Sequence, residues 1–326
     1  MGNFSKTLDQ QQALGLVGGT EKNVLLFGGS RSGKTFILLY SIVIRALKAP
    51  GSRHGVFRAC SSYVKQAVMM DTMPKMMKIC FPEVSFKQNV TNGVCRLSNG
   101  SEVWFCGLDD KKNSEKILGK EFATVYFNEC SEISYPAMNL AMTRLAQKAP
   151  LFGREGFLPL KAYFDCNPPG KSHWSYKMFI QKVEPETNIE LPFPEHFTSM
   201  LMNPEGNRDN IGEGYIEYIL GSLPERKRQR FLEGNWLDDI EGALWQRAMI
   251  NNSRIINVPE LERIVIGVDP AITANASSNE TGIIVAGKCR RGQYYILNDV
   301  SLKGSPLEWA SAVEREYKRW KADRVI

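Results

Sequence analysis

Eight consecutive residues constrain this chain more than any others: Gly28-Gly29-Ser30-Arg31-Ser32-Gly33-Lys34-Thr35 fits the pattern GxxxxGK[ST] at every position. The apolar run Asn23–Phe27 precedes it and an apolar helical pattern over 35–46 follows it. A strand, a glycine-rich bend and a helix in that order predict a loop that wraps an anion, because glycine lets the backbone turn its N–H groups, together with the helix N-terminus, onto a phosphate. Lys34 is the residue type that reaches the β- and γ-phosphates of ATP, and Thr35 supplies the hydroxyl that holds Mg²⁺. Gly28, Gly29, Ser30, Arg31, Ser32, Gly33, Lys34 and Thr35 are therefore the expected nucleotide contacts. The bland alternative, a plain glycine-rich turn, does not account for both flanks. Arg31 has two open readings, a γ-phosphate contact or a solvated arginine at the loop tip.

The rest of the pattern is α/β. Short β-rich runs at Asn23–Phe27, 55–59, 102–106, 123–127 and Lys161–Cys166 alternate with helical stretches up to about residue 195. This predicts a mostly parallel sheet with helices on both faces. Residues 211–236 read as helical and basic, 237–260 as a linker, and 261–326 as a second unit. That unit has strands at 263–268, 282–287 and 293–298, a helix at 306–321 and a last strand beginning at Arg324. The resulting division is 1–236, 237–260 and 261–326, two domains in 326 residues. A chain that stops as a strand begins reads as truncated.

The apolar run ending Phe127-Asn128-Glu129 places polar groups at a strand tip, where a P-loop ATPase keeps its magnesium-side and water-activating residues. Glu129 is the candidate for orienting or deprotonating the attacking water. Its competing reading is an exposed acid capping the next helix. Asn128 stands where an aspartate is usual, and an amide cannot supply that negative charge. Asn167 ends a further strand in Asn167-Pro168; it is either a γ-phosphate-end contact or a turn former. One of Gln10, Gln11 and Gln12 is a candidate adenine reader, against the reading of a polar helix face.

The formal charge of +6 is compatible with a polyanionic partner and weak evidence by itself. The densest basic run, Arg226-Lys227-Arg228-Gln229-Arg230, either meets a phosphate backbone or is a solvated helix face. Trp236 and Trp245 are expected to anchor packing rather than stack on bases. Seven cysteines without a CxxC pair or zinc spacing to any histidine predict reduced thiols. There is no signal-peptide core and no apolar run of membrane-spanning length.

Several pieces in order resemble one family: GGSRSGKT, then Lys116-Ile117-Leu118-Gly119, then VYFNECSEIS with Arg144-Leu145 downstream, then FDCNPPGKSHW, then QRFLEGNW, and finally IGVDPA. The chain resembles the large terminase subunits of tailed phages and prophages. The resemblance implies a P-loop ATPase that drives double-stranded DNA into a procapsid, joined to an RNase H-like nuclease. It implies Lys34 and Thr35 as the Walker A lysine and hydroxyl, Glu129 as the catalytic carboxylate and Asn167 in the coupling motif. The loop arginine of the family often lies one residue earlier, where Ser30 stands, so Arg31 departs from the pattern. Arg144 is a candidate finger toward a neighbouring subunit.

The implied partners are DNA, a portal protein, a small terminase subunit and further copies in a ring, with a monomer in solution still compatible. The implied location is the cytoplasm of the infected bacterium, outside the mature virion and away from membranes. For the second unit the resemblance implies two divalent ions, Mg²⁺ or Mn²⁺, held by several carboxylates, of which Asp269 at the end of an apolar strand is the first. The others lie beyond the strand at Arg324, so nuclease activity of this chain is expected to be weak or absent. Two alternatives stay open: another P-loop DNA translocase or helicase, and an inactive prophage remnant that binds nucleotide or DNA without turnover.

Overall fold

The computed structural model describes residues 5–108, 119–238, 249–250, 253–255, 257–270 and 280–326. Lys116, Ile117, Leu118, Trp245, Ala271 and much of the expected linker lie outside the described residues. The chain divides into two compact units, Met1–Leu244 and Trp245–Ile326.

The first unit is built on an eight-stranded sheet in the order β3-β4-β5-β2-β6-β7-β1-β8. The strands are β1 (Asn23–Phe27), β2 (Arg53–Arg58), β3 (Phe86–Asn89), β4 (Val94–Leu97), β5 (Glu102–Gly107), β6 (Thr124–Phe127), β7 (Lys161–Cys166) and β8 (Phe197–Leu201). β5, β2, β6, β7, β1 and β8 run parallel to one another. β3 and β4 form an antiparallel edge with β5. Two of the expected strands, β1 and β7, form with the expected bounds. β3, β4 and β8 were not expected. β8 is half-buried along most of its length and carries Thr198 and Ser199, so it lacks the continuous apolar run that marks a central strand.

The central strands are buried on both faces. Val24 and Leu26 of β1 join one core, with Ile37, Leu38 and Ile42 of the helix α2 (Lys34–Lys48) and Ala13 and Val17 of α1 (Leu8–Gly18). Leu25 of the same strand joins the other core, with Phe57, Phe127, Phe164, Trp174 and Phe179. This alternation is what helices on both faces of a parallel sheet require. A further helix, α3 (Met73–Cys80), adds Met73, Met76 and Met77 to the first core, and α4 (Tyr135–Met142) adds Met138 and Ala141 to the second.

Residues 211–236 are not one basic helix. A short wide turn at Tyr215–Leu220 and the helix α5 (Glu225–Phe231) are separated at Gly221-Ser222-Leu223-Pro224. Pro224 caps the second piece and cannot continue the first. Of the basic run, Arg228 pairs with Glu225 in α5 and with Glu233 just beyond it. Trp236 packs its ring 5.3 Å from Phe27 and 5.2 Å from Tyr176.

The second unit has a four-stranded sheet in the order β11-β10-β9-β12, with β9 (Leu261–Asp269), β10 (Gly282–Cys289), β11 (Tyr294–Asp299) and β12 (Arg324–Val325). β9, β10 and β11 are antiparallel, while β12 runs parallel to β9. The helix α6 (Pro306–Trp320) starts at a capping box of Ser305 and Glu308 and buries Ala312 and Val313 against Ile266, Ile283 and Val285. No helix among the described residues is long and apolar enough to cross a membrane. All seven cysteines are free thiols.

His54 on β2 is completely buried, with Nδ1 2.9 Å from the Thr124 hydroxyl and Nε2 2.9 Å from that of Ser52. Burial, and then the nearby Arg45 guanidinium, push its imidazole down to about 3 from 6.5. The unfolded chain therefore takes up a proton that the folded chain refuses. This contribution to stability is complete above about pH 6.5 and is lost as pH falls toward 3. Urea denaturation between pH 7 and pH 4 is expected to show a steeper loss for the parent than for His54→Gln. The difference approaches one proton's worth, about 1.4 kcal/mol per pH unit; equal slopes would contradict it.

Candidate nucleotide-binding site

The parallel register brings the carboxyl ends of four strands to one edge of the sheet. Phe27 pairs with Cys166, Phe57 with Phe127, and Phe127 with Phe164. The residues that follow face a cleft of about 1440 Å³, lined by Ser30 to Phe36, Arg58, Asn128, Glu129, Asp165, Asn167 and Gln10 among others. Most of the sequence-predicted nucleotide contacts therefore meet, in the place where open α/β sheets hold ligands. Gly28 and Gly29 stand at the back of the loop.

Local backbone shape explains the glycines. Gly28 has φ +140°, and a Cβ there would sit 2.1 Å from the Met202 carbonyl oxygen. Gly33 has φ +85° and is the N-cap of α2, but offers no side-chain oxygen to the amides of the first turn. Those amides thus lack the side-chain acceptor that closes most helix starts, an arrangement suited to receiving an anion.

The loop's outer side is bonded to protein. Gly29 N–H donates to Asn203 Oδ1 at 2.9 Å, and Ser30 N–H to the Phe231 carbonyl at 2.7 Å. Asn203 Nδ2 also donates to the Glu233 carbonyl at 2.8 Å, and Asn207 Nδ2 to that of Arg31 at 2.7 Å. Asn167 Nδ2 donates to the Gly28 carbonyl at 2.7 Å, so this residue braces the loop's first bend. Arg31 is exposed in left-handed backbone, at φ 60°.

Lys34 is buried and its ammonium donates to the carbonyls of Gly28 (3.2 Å) and Gly29 (2.6 Å) and to the Ser32 hydroxyl (2.9 Å). Burial lowers its affinity for the proton, while Asp165 and Glu129 work in the other direction. A phosphate would replace those carbonyl partners with a charged one.

Glu129 follows β6 in left-handed backbone, at φ 49° and ψ 53°, and its side chain caps no helix. Burial, and then the Asp165 carboxylate, push its carboxyl up to about 7; Lys34 and Arg58 pull the other way. A carboxyl that exchanges its proton near neutrality is the type a general base requires.

The residue that sequence reading passed over is Asp165, one position before the end of β7. It is 1% exposed and accepts from Thr35 Oγ1 at 2.7 Å, Tyr126 Oη at 2.8 Å, Asn128 Nδ2 at 3.0 Å and the Glu129 amide at 2.7 Å. The signal was available: an aspartate inside a run buried at every position is unusual in a strand. Arg58, at the end of β2 and 3.4 Å from Glu132, also lines the cleft and was missed.

Other candidates separate. Only Gln10 of the three glutamines lines the cleft, with its amide near Gly33, while Gln11 and Gln12 are exposed. The Arg144 backbone bonds to Phe122, just before β6 begins, at the far end of that strand from Glu129. Asp269 is exposed at the tip of β9 in the second unit. Among the described residues there is no cluster of three or more His, Cys, Asp or Glu side chains arranged to hold a metal.

Residues 25–252 match the family described as terminase large subunit, T4likevirus-type, N-terminal. Among solved structures, the chain is similar to the large terminase from a thermophilic bacteriophage, with a TM-score of 0.59 at 16% identity over 99% of this chain and 77% of that one. The same phage protein in complex with ADP gives 0.55 at 16% identity, over 98% and 77%. The large terminase ATPase domain of Thermus phage P74-26 gives 0.51 at 15% identity over 72% of this chain and 96% of that domain. At these identities the likeness shows the fold. No curated protein sequence matches.

The Asn203 side chain closes two backbone bonds between the loop and the segment after α5. Asn203→Ala leaves the Gly29 N–H and the Glu233 carbonyl without those partners. It is expected to cost about 1–3 kcal/mol in urea denaturation, and a change below about 0.3 kcal/mol would contradict the bracing role.

Proposed function

The chain belongs to the terminase large subunit family of the T4-like-virus type, and on that footing we propose that its first unit is the ATPase of a DNA-packaging motor, coupling ATP hydrolysis to movement of double-stranded DNA into a viral procapsid. The observation that carries the reading is the shared cleft: the phosphate-loop lysine and threonine, a carboxyl poised near neutrality, and a brace from the next strand all line one cavity. The large terminase of the thermophilic bacteriophage, solved with ADP and with ATP-gamma-S, supports a nucleotide as the occupant.

In this reading the α2 N-terminus and the Ser30–Lys34 backbone bind the phosphates, and Lys34 turns from its own loop carbonyls to the β- and γ-phosphoryl oxygens. Glu129 accepts a proton from the attacking water. Asn167 links the loop's shape to β7. Gln10, beside Gly33, faces the base. The Thr35 hydroxyl is a hard oxygen donor, which fits Mg²⁺ sharing its shell with phosphates and water. When bound, that ion neutralises charge developing on the transferred phosphoryl group.

We read residues 1–236 as this ATPase domain, 237–260 as a linker and 261–326 as belonging to an RNase H-like nuclease domain. Three antiparallel strands, a helix and a fourth strand parallel to the first support that second assignment. Asp269 at the tip of β9 would be a carboxylate for a catalytic Mg²⁺ or Mn²⁺. The partners of such a motor are DNA, a portal protein, a small subunit and copies of this chain, and Arg31 and Arg144 are candidates for contacts to the nucleotide and to a neighbouring copy. The site of action is the infected cell's cytoplasm.

Lys34→Ala is expected to abolish nucleotide binding and DNA-stimulated ATP hydrolysis together. Glu129→Gln is expected to keep nucleotide affinity within about threefold while lowering kcat by about 100-fold or more. Calorimetry and a coupled ATPase assay with added duplex DNA measure both. Hydrolysis at the parent's rate in either variant would refute the reading, and a parent without turnover would favour the inactive remnant.

A further inference from the structure

We propose that Asp165 is the carboxylate of the magnesium site, and that Asn128 is an amide because this charge has moved to the neighbouring strand. The inference rests on the nucleotide-site reading above and adds which residue supplies the metal-side charge.

β6 and β7 are parallel, with Phe127 opposite Phe164. One step further along, Asn128 and Asp165 stand side by side, and the Asn128 amide donates to Asp165 Oδ1 at 3.0 Å. An aspartate at 128 would bring two carboxylates within hydrogen-bond distance, and like charges that close do not both ionise. The two positions hold one negative charge between them, and this chain carries it on β7.

The surroundings of Asp165 say what the charge is for. It is 1% exposed and its oxygens accept from two hydroxyls, an amide side chain and a backbone N–H. Among the described residues no lysine, arginine or histidine lies within ion-pair distance of it, and the Lys34 ammonium, which feels its charge, bonds to loop carbonyls instead. A buried carboxylate bonded only to neutral donors is costly until a cation arrives. One of those donors is Thr35, at 2.7 Å, the hydroxyl that meets the ion in a P-loop. Magnesium takes one or two carboxylates with phosphates and waters rather than a cage of acids. The lack of a larger acidic cluster among the described residues agrees with that.

The test uses the whole chain. Metal-free affinity for mant-ADP is measured in EDTA, and Mn²⁺ affinity of the ADP-loaded protein by the EPR signal of free Mn²⁺. Asp165→Asn is expected to weaken Mn²⁺ binding by about tenfold or more while mant-ADP affinity without metal stays within about threefold. Asn128→Asp/Asp165→Asn, which hands the charge back to β6, is expected to regain more than about threefold over the single variant. Mn²⁺ affinity of Asp165→Asn within threefold of the parent's overturns the assignment, and no regain in the exchange variant overturns the transfer of charge. If the parent binds mant-ADP in neither condition, the nucleotide reading itself fails. A crystal structure of the unaltered chain with Mn²⁺ and ADP decides the matter if Asp165→Asn does not fold. A metal peak within about 5 Å of an Asp165 oxygen, the reach of one bridging water, supports the proposal, and a more distant peak overturns it.

Discussion

A carboxylate shut away from water must be satisfied on all sides, and in this chain that requirement assembles the site. Asp165 gathers Thr35 from the start of α2, Tyr126 and Asn128 from β6 and its extension, and the Glu129 amide. Each bond fixes something the chemistry needs. The Thr35 bond sets the rotation of α2 relative to the sheet. The Glu129 amide bond holds the backbone from which the candidate base projects. Tyr126, fully buried, cannot swing away without leaving its hydroxyl unpaired. The loop and the base, far apart in sequence, are thereby held by one hub.

Around that hub the sheet works as a jig. Parallel pairing aligns the carboxyl ends of β1, β2, β6 and β7, so what each strand delivers at its tip arrives at one edge. The loop is then pressed from behind. Asn203, Asn207, Phe231 and the close approach of Gly234 to Gly28 leave its outer surface no room to relax. Its inner surface carries the first-turn amides of α2 and the buried Lys34, which the loop's own carbonyls hold.

Much of this could be read from sequence because its causes are local. The glycine pattern, the strand before it and the helix after it are separate signals that agree, and β1 and β7 are largely apolar runs. What escaped reading depends on partners distant in sequence. β8 is an edge strand whose polar residues make sense only once it lies beside β1. The helical reading of 211–236 left out the break at Gly221 and Pro224, although both are local stop signals. Asp165 was hidden by its position in an apolar run. Asn128, recognised as a departure, could not be explained from β6 alone, because its explanation stands on the strand next door.

Glu129 occupies backbone that favours glycine or asparagine, at φ 49°. Its carboxyl is also desolvated beside another acid. Both features cost folding free energy, and neither is offset by a helix cap. Random exchange at this codon would therefore tend to produce sturdier chains, with glycine relieving the backbone and a neutral side chain relieving the charge. A glutamate here thus costs the fold something that its place in the cleft, rather than its packing, has to justify.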